Sequence, residues 1–119
     1  MAINVFAAET DAEGARLRTS TQQAFANLRL GRPGPLPRPV DRIEDVLPPQ
    51  IVAAVDQALR ISAVGAKETV RDQITALTAD LQPDEVILNA NIWDSDARVA
   101  SFEIAAEVMR DFAEAQAAE

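Results

Sequence analysis

The chain has 119 residues, of which 48% are hydrophobic and 25% charged, the balance of a folded soluble domain rather than of a disordered segment. Its formal net charge is −8, from 19 acidic and 11 basic side chains with no clustered Lys or Arg, so nucleic acid and anionic membrane surfaces are excluded as natural partners by charge repulsion. There is no Cys and no His, which excludes disulfides, thiolate nucleophiles and imidazole bases or metal ligands and leaves only carboxylates, Lys67 and hydroxyls for chemistry; free-standing catalysis and a metal site are not expected.

Residues 2–8 carry β-branched and aromatic side chains (Ile3, Val5, Phe6) in loose alternation and predict a buried strand. It follows Met1 at once, which suits an excised piece. Thr10-Asp11-Ala12-Glu13 has the spacing of a capping box, with the Thr10 hydroxyl accepting from the Glu13 N–H and the Glu13 carboxylate reaching back. The helix it starts is expected over 10–30, with an apolar stripe of Leu17, Thr21, Ala24, Phe25 and Leu28 and a glycine stop at Gly31.

Residues 31–50 hold six of the seven prolines, and through Pro33, Pro35, Pro37 and Pro39 neither a helix nor a central strand is possible. The segment reads as an extended connector across the surface; a proline-rich adaptor motif over 33–39 is the competing reading. A second helix is expected over 49–60, with Ile51, Val52, Val55, Ala58 and Leu59 inward and Pro49 in its first turn. Ile61–Val64 is a short apolar stretch before Gly65. Val70, Ile74, Leu77 and Leu81 mark a third helix over 67–80, which Pro83 stops.

Residues 85–90 form a nearly continuous apolar run, the pattern of a strand covered on both faces. Ser95, flanked by Asp94 and Asp96, is the expected cap of a last helix over 95–115 with the stripe Phe102, Ala105, Met109 and Phe112. Strands separated by helices imply parallel crossovers in a single α/β domain or fragment, although two strands leave both sheet edges open. No GxGxxG or P-loop spacing occurs among Gly14, Gly31, Gly34 and Gly65. The acidic pairs Asp84/Glu85 and Asp94/Asp96 read as solvated caps rather than as acid/base or cation sites. No signal peptide or membrane span is present, so a cytoplasmic location is expected.

Three segments together carry a family resemblance: Val5 through Glu13; Gly31-Arg32-Pro33-Gly34-Pro35-Leu36-Pro37; and Val64-Gly65 with Glu68-Thr69-Val70, continued by Asp84-Glu85 and by Arg98, Ser101 and Glu103. In this order and spacing they resemble the C-terminal portion of the luciferase-like flavin-dependent monooxygenases. The resemblance implies a partial (β/α)8, TIM-type barrel, with residues 2–8 as its seventh strand and 85–90 as its eighth. It also implies FMN or a related flavin, such as a deazaflavin, for an intact member. The family's flavin contacts come mainly from earlier strands, so no flavin-binding or catalytic residue is assigned here. Two departures stand out. Ala66-Lys67 replaces the hydroxyl residue and proline that many relatives have after the glycine, and Asp94-Ser95 replaces Asp-His after the last strand.

Side chains just past the C-terminal ends of barrel strands face the active site, which makes Asn89, Asn91, Trp93 and Asp94 the expected pocket-lining positions of an intact enzyme. The leading expectation is therefore a C-terminal fragment of such a monooxygenase, inactive alone. The alternative is a non-enzymatic α/β module that forms a homo-oligomer through its exposed strand edges and helix faces.

Overall fold

The computed structural model describes residues 2–118. Three strands and four helices follow one another as β1 (Ala2–Ala7), α1 (Asp11–Arg29), α2 (Pro49–Ala58), β2 (Ser62–Gly65), α3 (Lys67–Leu81), β3 (Ile87–Asn89) and α4 (Ser95–Ala118), with a short 3-10 turn at Ile43–Asp45 before α2. The mixed α/β class matches the expectation, but there is one more strand than the sequence pattern predicts. Four residues with one glycine are too few to display a period, so β2 reads in the sequence as a mere apolar stretch.

All three strands are parallel and lie in the order β2-β1-β3. β1 is central, with Val5 opposite Ala63 on one side and Ile3 opposite Leu88 on the other. Side-chain alternation divides the core into two layers. Ile3, Val5, Ala7 and Ala63 pack with Val70 and Ile74 of α3 and with Ala105 and Val108 of α4, while Phe6 packs on the opposite face with Leu17 of α1 and with Ala90 and Ile92. A third cluster of Ala26, Val55 and Leu59 joins α1 to α2. Helices thus cover both faces of an open sheet. A barrel arc keeps its helices on the outer face, so the described residues do not themselves display the barrel geometry that the resemblance implies.

Several local expectations are corrected by this layering. β3 is three residues long and is not covered on both faces: α1 lies over β1 and β2, so Ile87 is 54% exposed on the uncovered side. In α1 the buried residues include Thr19, Ser20, Thr21 and Gln22, whereas Leu28 of the predicted stripe is 62% exposed. The connector and α2 supply the reason. Thr19 Oγ1 accepts from Val40 N–H at 2.9 Å, Gln22 donates to Asp56 at 2.9 Å, and Thr21 donates to the Asn91 carbonyl at 2.8 Å, so these three are buried with partners, whereas the Ser20 hydroxyl is buried without one. In α4 the inward face runs through Ser101, Ala105 and Val108, and Phe102 is 43% exposed. Leu81 and Ala58, expected inside, are exposed at helix ends.

Ser101 explains the shift in α4. Beyond Asn4 the third strand leaves β1, and the Ala7 N–H on that edge would be orphaned inside the protein. The fully buried Ser101 hydroxyl accepts from it at 3.0 Å and lies 3.4 Å from the Val5 carbonyl. A side chain there does the work of a ladder residue, at a site where an unsatisfied donor costs about 1–3 kcal/mol. Outside this contact, Lys67 pairs with Glu107 at 3.2 Å and Arg71 pairs with Asp111, tying α3 to α4 through half-exposed charges.

The helix-ending glycine behaves as expected. Gly31 has φ +72°, its N–H bonds the Leu28 carbonyl and the Arg32 N–H bonds the Asn27 carbonyl, the paired bonds of a Schellman close. Gly14 has a different reason. A Cβ there would stand 2.7 Å from both the Phe6 carbonyl oxygen and the Gly65 nitrogen, so α1 rests directly on the backbone of β1 and β2. Gly14→Ala is expected to destabilise by about 2 kcal/mol or more, because backbone cannot yield to the added methyl. Gly31→Ala, in open space but at positive φ, should cost about 1 kcal/mol. Urea unfolding of both variants checks the order, and an unperturbed Gly14→Ala midpoint would contradict the contact.

Candidate functional site

Parallel strands place their C-terminal ends on one edge of the sheet, and the segments that follow them, Ala8–Thr10, Ala66 and Ala90–Asp94, lie on that edge. Crevices outside this edge are where open α/β sheets gather their ligands. Two hollows open here. The larger, about 360 Å³, lies among Glu13, Arg16, Arg38, Trp93 and Asp94; the other, about 260 Å³, is lined mostly by Ala8, Thr10, Ala97, Ala100 and Ile104. A cleft of about 550 Å³ between α3 and α4, bounded by Ile74, Val86, Met109 and Phe112, sits at the opposite end of β3.

Of the four positions expected to line a pocket, the structure brings Trp93 and Asp94 to the 360 Å³ hollow. Asn89 ends β3 opposite Asn4, and Asn91 is held by its carbonyl to Thr21; neither lines the two hollows at this edge. Asp94 has a structural task as well. Its carboxylate accepts from the Ala97 N–H at 2.9 Å, so it caps α4 one residue before the expected Ser95.

Arg38 completes the hollow from a distance of 55 residues in sequence. Its guanidinium stands 5.1 Å from the centre of the Trp93 ring, within the range of a cation–π contact. The connector is held in place by polar bonds to α1: Gln23 donates to the Arg38 carbonyl at 2.9 Å, and Arg16 pairs with Asp41 at 3.3 Å. The connector expected from the prolines is therefore a strap that sets one wall of the hollow. Pro33 and Pro35 remain exposed.

Below the hollows, Asp11 joins two elements. Its carboxylate accepts from the Ala66 N–H at 2.8 Å, at the start of α3, where Ala66 itself offers no capping side chain. A carboxylate from α1 thus does the work of the local cap that Ala66 lacks. Gly65 has φ +138°, and a Cβ on it would stand 2.5 Å from the same carboxylate, so only glycine fits between β2 and α3. The Ala66 N–H, and secondarily Thr69, hold the Asp11 carboxyl below its ordinary pKa. Such a group stays ionised and is a poor proton shuttle. Thr10 caps α1 as expected, accepting from Glu13 N–H at 3.1 Å, while the Glu13 carboxylate turns to Arg16 at 3.4 Å rather than back to Thr10.

The chemistry available is binding and charge placement. No group of three or more carboxylates is placed to hold a metal ion among the described residues, and no helix there is long and apolar enough to cross a membrane. Arg38 and Asp11 escaped the sequence reading because both act across distant segments. Gly14 carried a readable signal, since a glycine inside a helical pattern marks a close approach or a functional constraint.

The depressed Asp11 pKa has a pH consequence. A carboxyl more acidic folded than unfolded contributes stability above the unfolded pKa of about 4, and that contribution is lost as pH falls through the folded value. Asp11→Asn should therefore lower the urea midpoint at pH 7, with the difference from the parent chain shrinking as the pH is taken to 3. An equal difference at both pH values would refute the assignment.

No family model matches the sequence. A luciferase-like monooxygenase of Escherichia coli K12 is 38% identical over 109 residues, covering 92% of this chain and 32% of the relative, and its counterpart in strain CFT073 matches equally. The uncharacterized protein YvbT of Bacillus subtilis 168 is 30% identical over the same length. Among solved structures, apo-MsnO8 superposes with a TM-score of 0.67 over 92% of this chain and 34% of that one, at 24% identity, a likeness of fold. The chain spans about a third of the length of the relatives it matches.

Proposed function

From a chain that is a C-terminal fragment of the luciferase-like monooxygenase family, we propose a non-catalytic role in isolation and, in a full-length member, the role of one wall of a flavin pocket at the C-terminal edge of a (β/α)8 barrel. The observation that carries this reading is that the three parallel strands end on one edge of the sheet, where residues after β1 line one hollow and Trp93 and Asp94, after β3, line the other. The oxidation itself, by reduced FMN or a related flavin and O2, belongs to the parts of the family that lie outside these residues.

The fit of the chain's own residues to a flavin supports the division. At the start of α3, where a helix N-terminus could hold a phosphate, the Ala66 amide is already bonded to the Asp11 carboxylate, which would repel one. The two hollows at the strand ends are each at or below the lower end of the usual ligand-pocket range of about 300–1,000 Å³. By themselves the residues present do not make a flavin site, and no reaction step is assigned to them. Titrating the purified chain with FMN, followed by flavin fluorescence and by NADH-driven turnover, should give neither saturable binding nor product; micromolar affinity would overturn the reading.

A second reading, self-association, is favoured by apolar surface that a monomer leaves in water: Ile87 on the short edge strand, and Val99 and Phe102 on α4, at 54%, 55% and 43% exposure. Size-exclusion chromatography with light scattering is expected to give a mass above that of one chain, shifted toward the monomer by Phe102→Glu. A monomer at all concentrations would dispose of it.

A further inference from the structure

The guanidinium of Arg38 combines three properties on one side chain. Its backbone is fixed: Pro37 and Pro39 restrict the chain on either side, Gln23 holds the Arg38 carbonyl, and Thr19 holds the next residue but one, Val40. It lies over the Trp93 ring at 5.1 Å from its centre, within the range of a cation–π contact, which leaves its N–H donors without a carboxylate to bond. It has no ion-pair partner among the described residues.

The acids around it are otherwise engaged. Glu13 and Asp41 both pair with Arg16, and Asp94 accepts from the Ala97 N–H. Arg38 is thus a cation without a carboxylate partner of its own, at a hollow lined also by the apolar side chains of Leu17, Pro39 and Ala97.

We propose that the Arg38–Trp93 pair is an oxyanion-binding clamp, in which Arg38 takes the carboxylate or phosphate of a small ligand whose apolar part lies over Leu17, Pro39 and Ala97. The bidentate fork of a guanidinium matches either group, and the ring beside it limits the positions the fork can take before the ligand arrives. The hollow, at about 360 Å³, admits a small molecule and not a macromolecule. The clamp shares its hollow with the proposed pocket wall, but its probes contain no flavin, so its failure is distinguishable from failure of the flavin reading.

Trp93 is the sole tryptophan of the chain, so its fluorescence reports on this site alone. At constant ionic strength, titration with inorganic phosphate and separately with propionate should give a saturable change, with a midpoint on the order of millimolar for at least one of them. Response to phosphate alone assigns a phosphorylated ligand, and response to propionate alone assigns a carboxylate. Propionamide, which lacks the charge, should give none. Arg38→Gln should weaken binding by about tenfold or more and Arg38→Lys by less, with unchanged circular dichroism, because the side chain is exposed. The absence of a saturable response to both anions, an equal response to propionamide, or undiminished binding in Arg38→Gln would each overturn the clamp.

Discussion

The backbone contact at Gly14 fixes how the rest of the molecule is arranged. A helix usually meets a sheet through side chains, but here α1 touches the Phe6 carbonyl and the Gly65 amide with nothing between, because Gly14 has no Cβ. That approach brings Asp11, one turn earlier, within 2.8 Å of the Ala66 amide. β1, β2, α1 and α3 therefore meet at one point, on the edge of the sheet where the hollows open. Gly65, bent to φ +138°, is the matching concession on the other side of the contact.

Seating α1 this deeply has a cost that its sequence answers. Its middle is buried on more than one side, so Thr19, Thr21 and Gln22 lie inside and each finds a hydrogen-bond partner from a different segment: the connector, the post-β3 loop and α2. An apolar stripe alone would have docked the helix without placing those segments. Thr19 and Gln23 hold the proline strap, and the strap carries Arg38 to Trp93. The polarity of α1 is thus what assembles the hollow.

The opposite side of the sheet is less complete. β3 makes three register pairs and then departs, and the buried Ser101 hydroxyl closes the gap it leaves on β1. Ile87, Val99 and Phe102 keep substantial exposure on this flank. The chain spans about a third of its relatives' length, and a short edge strand with apolar neighbours is the kind of surface that further chain or a second copy covers.

Much of this was legible in the sequence. Proline spacing marked the connector, Thr10 and Gly31 marked the ends of α1, and the absence of His and Cys fixed the kind of chemistry that the described residues lack. Order and spacing of short segments pointed to the family. β2 was not legible, because four residues carry no period, and the stripes of α1 and α4 held at Leu17, Thr21 and Ala105 but failed at Leu28 and Phe102, while the buried Thr19 and Ser101 lay outside them. Thr19 and Ser101 lie inside because of what they bond. The sequence by itself determined element types, the rigid strap and the charge balance, all of which follow from properties of residues near one another in the chain. Tertiary structure decided the strand order, the Asp11 cap on α3 and the meeting of Arg38 with Trp93, because each joins groups tens of residues apart whose contact exists only once Gly14 has let α1 down onto the sheet.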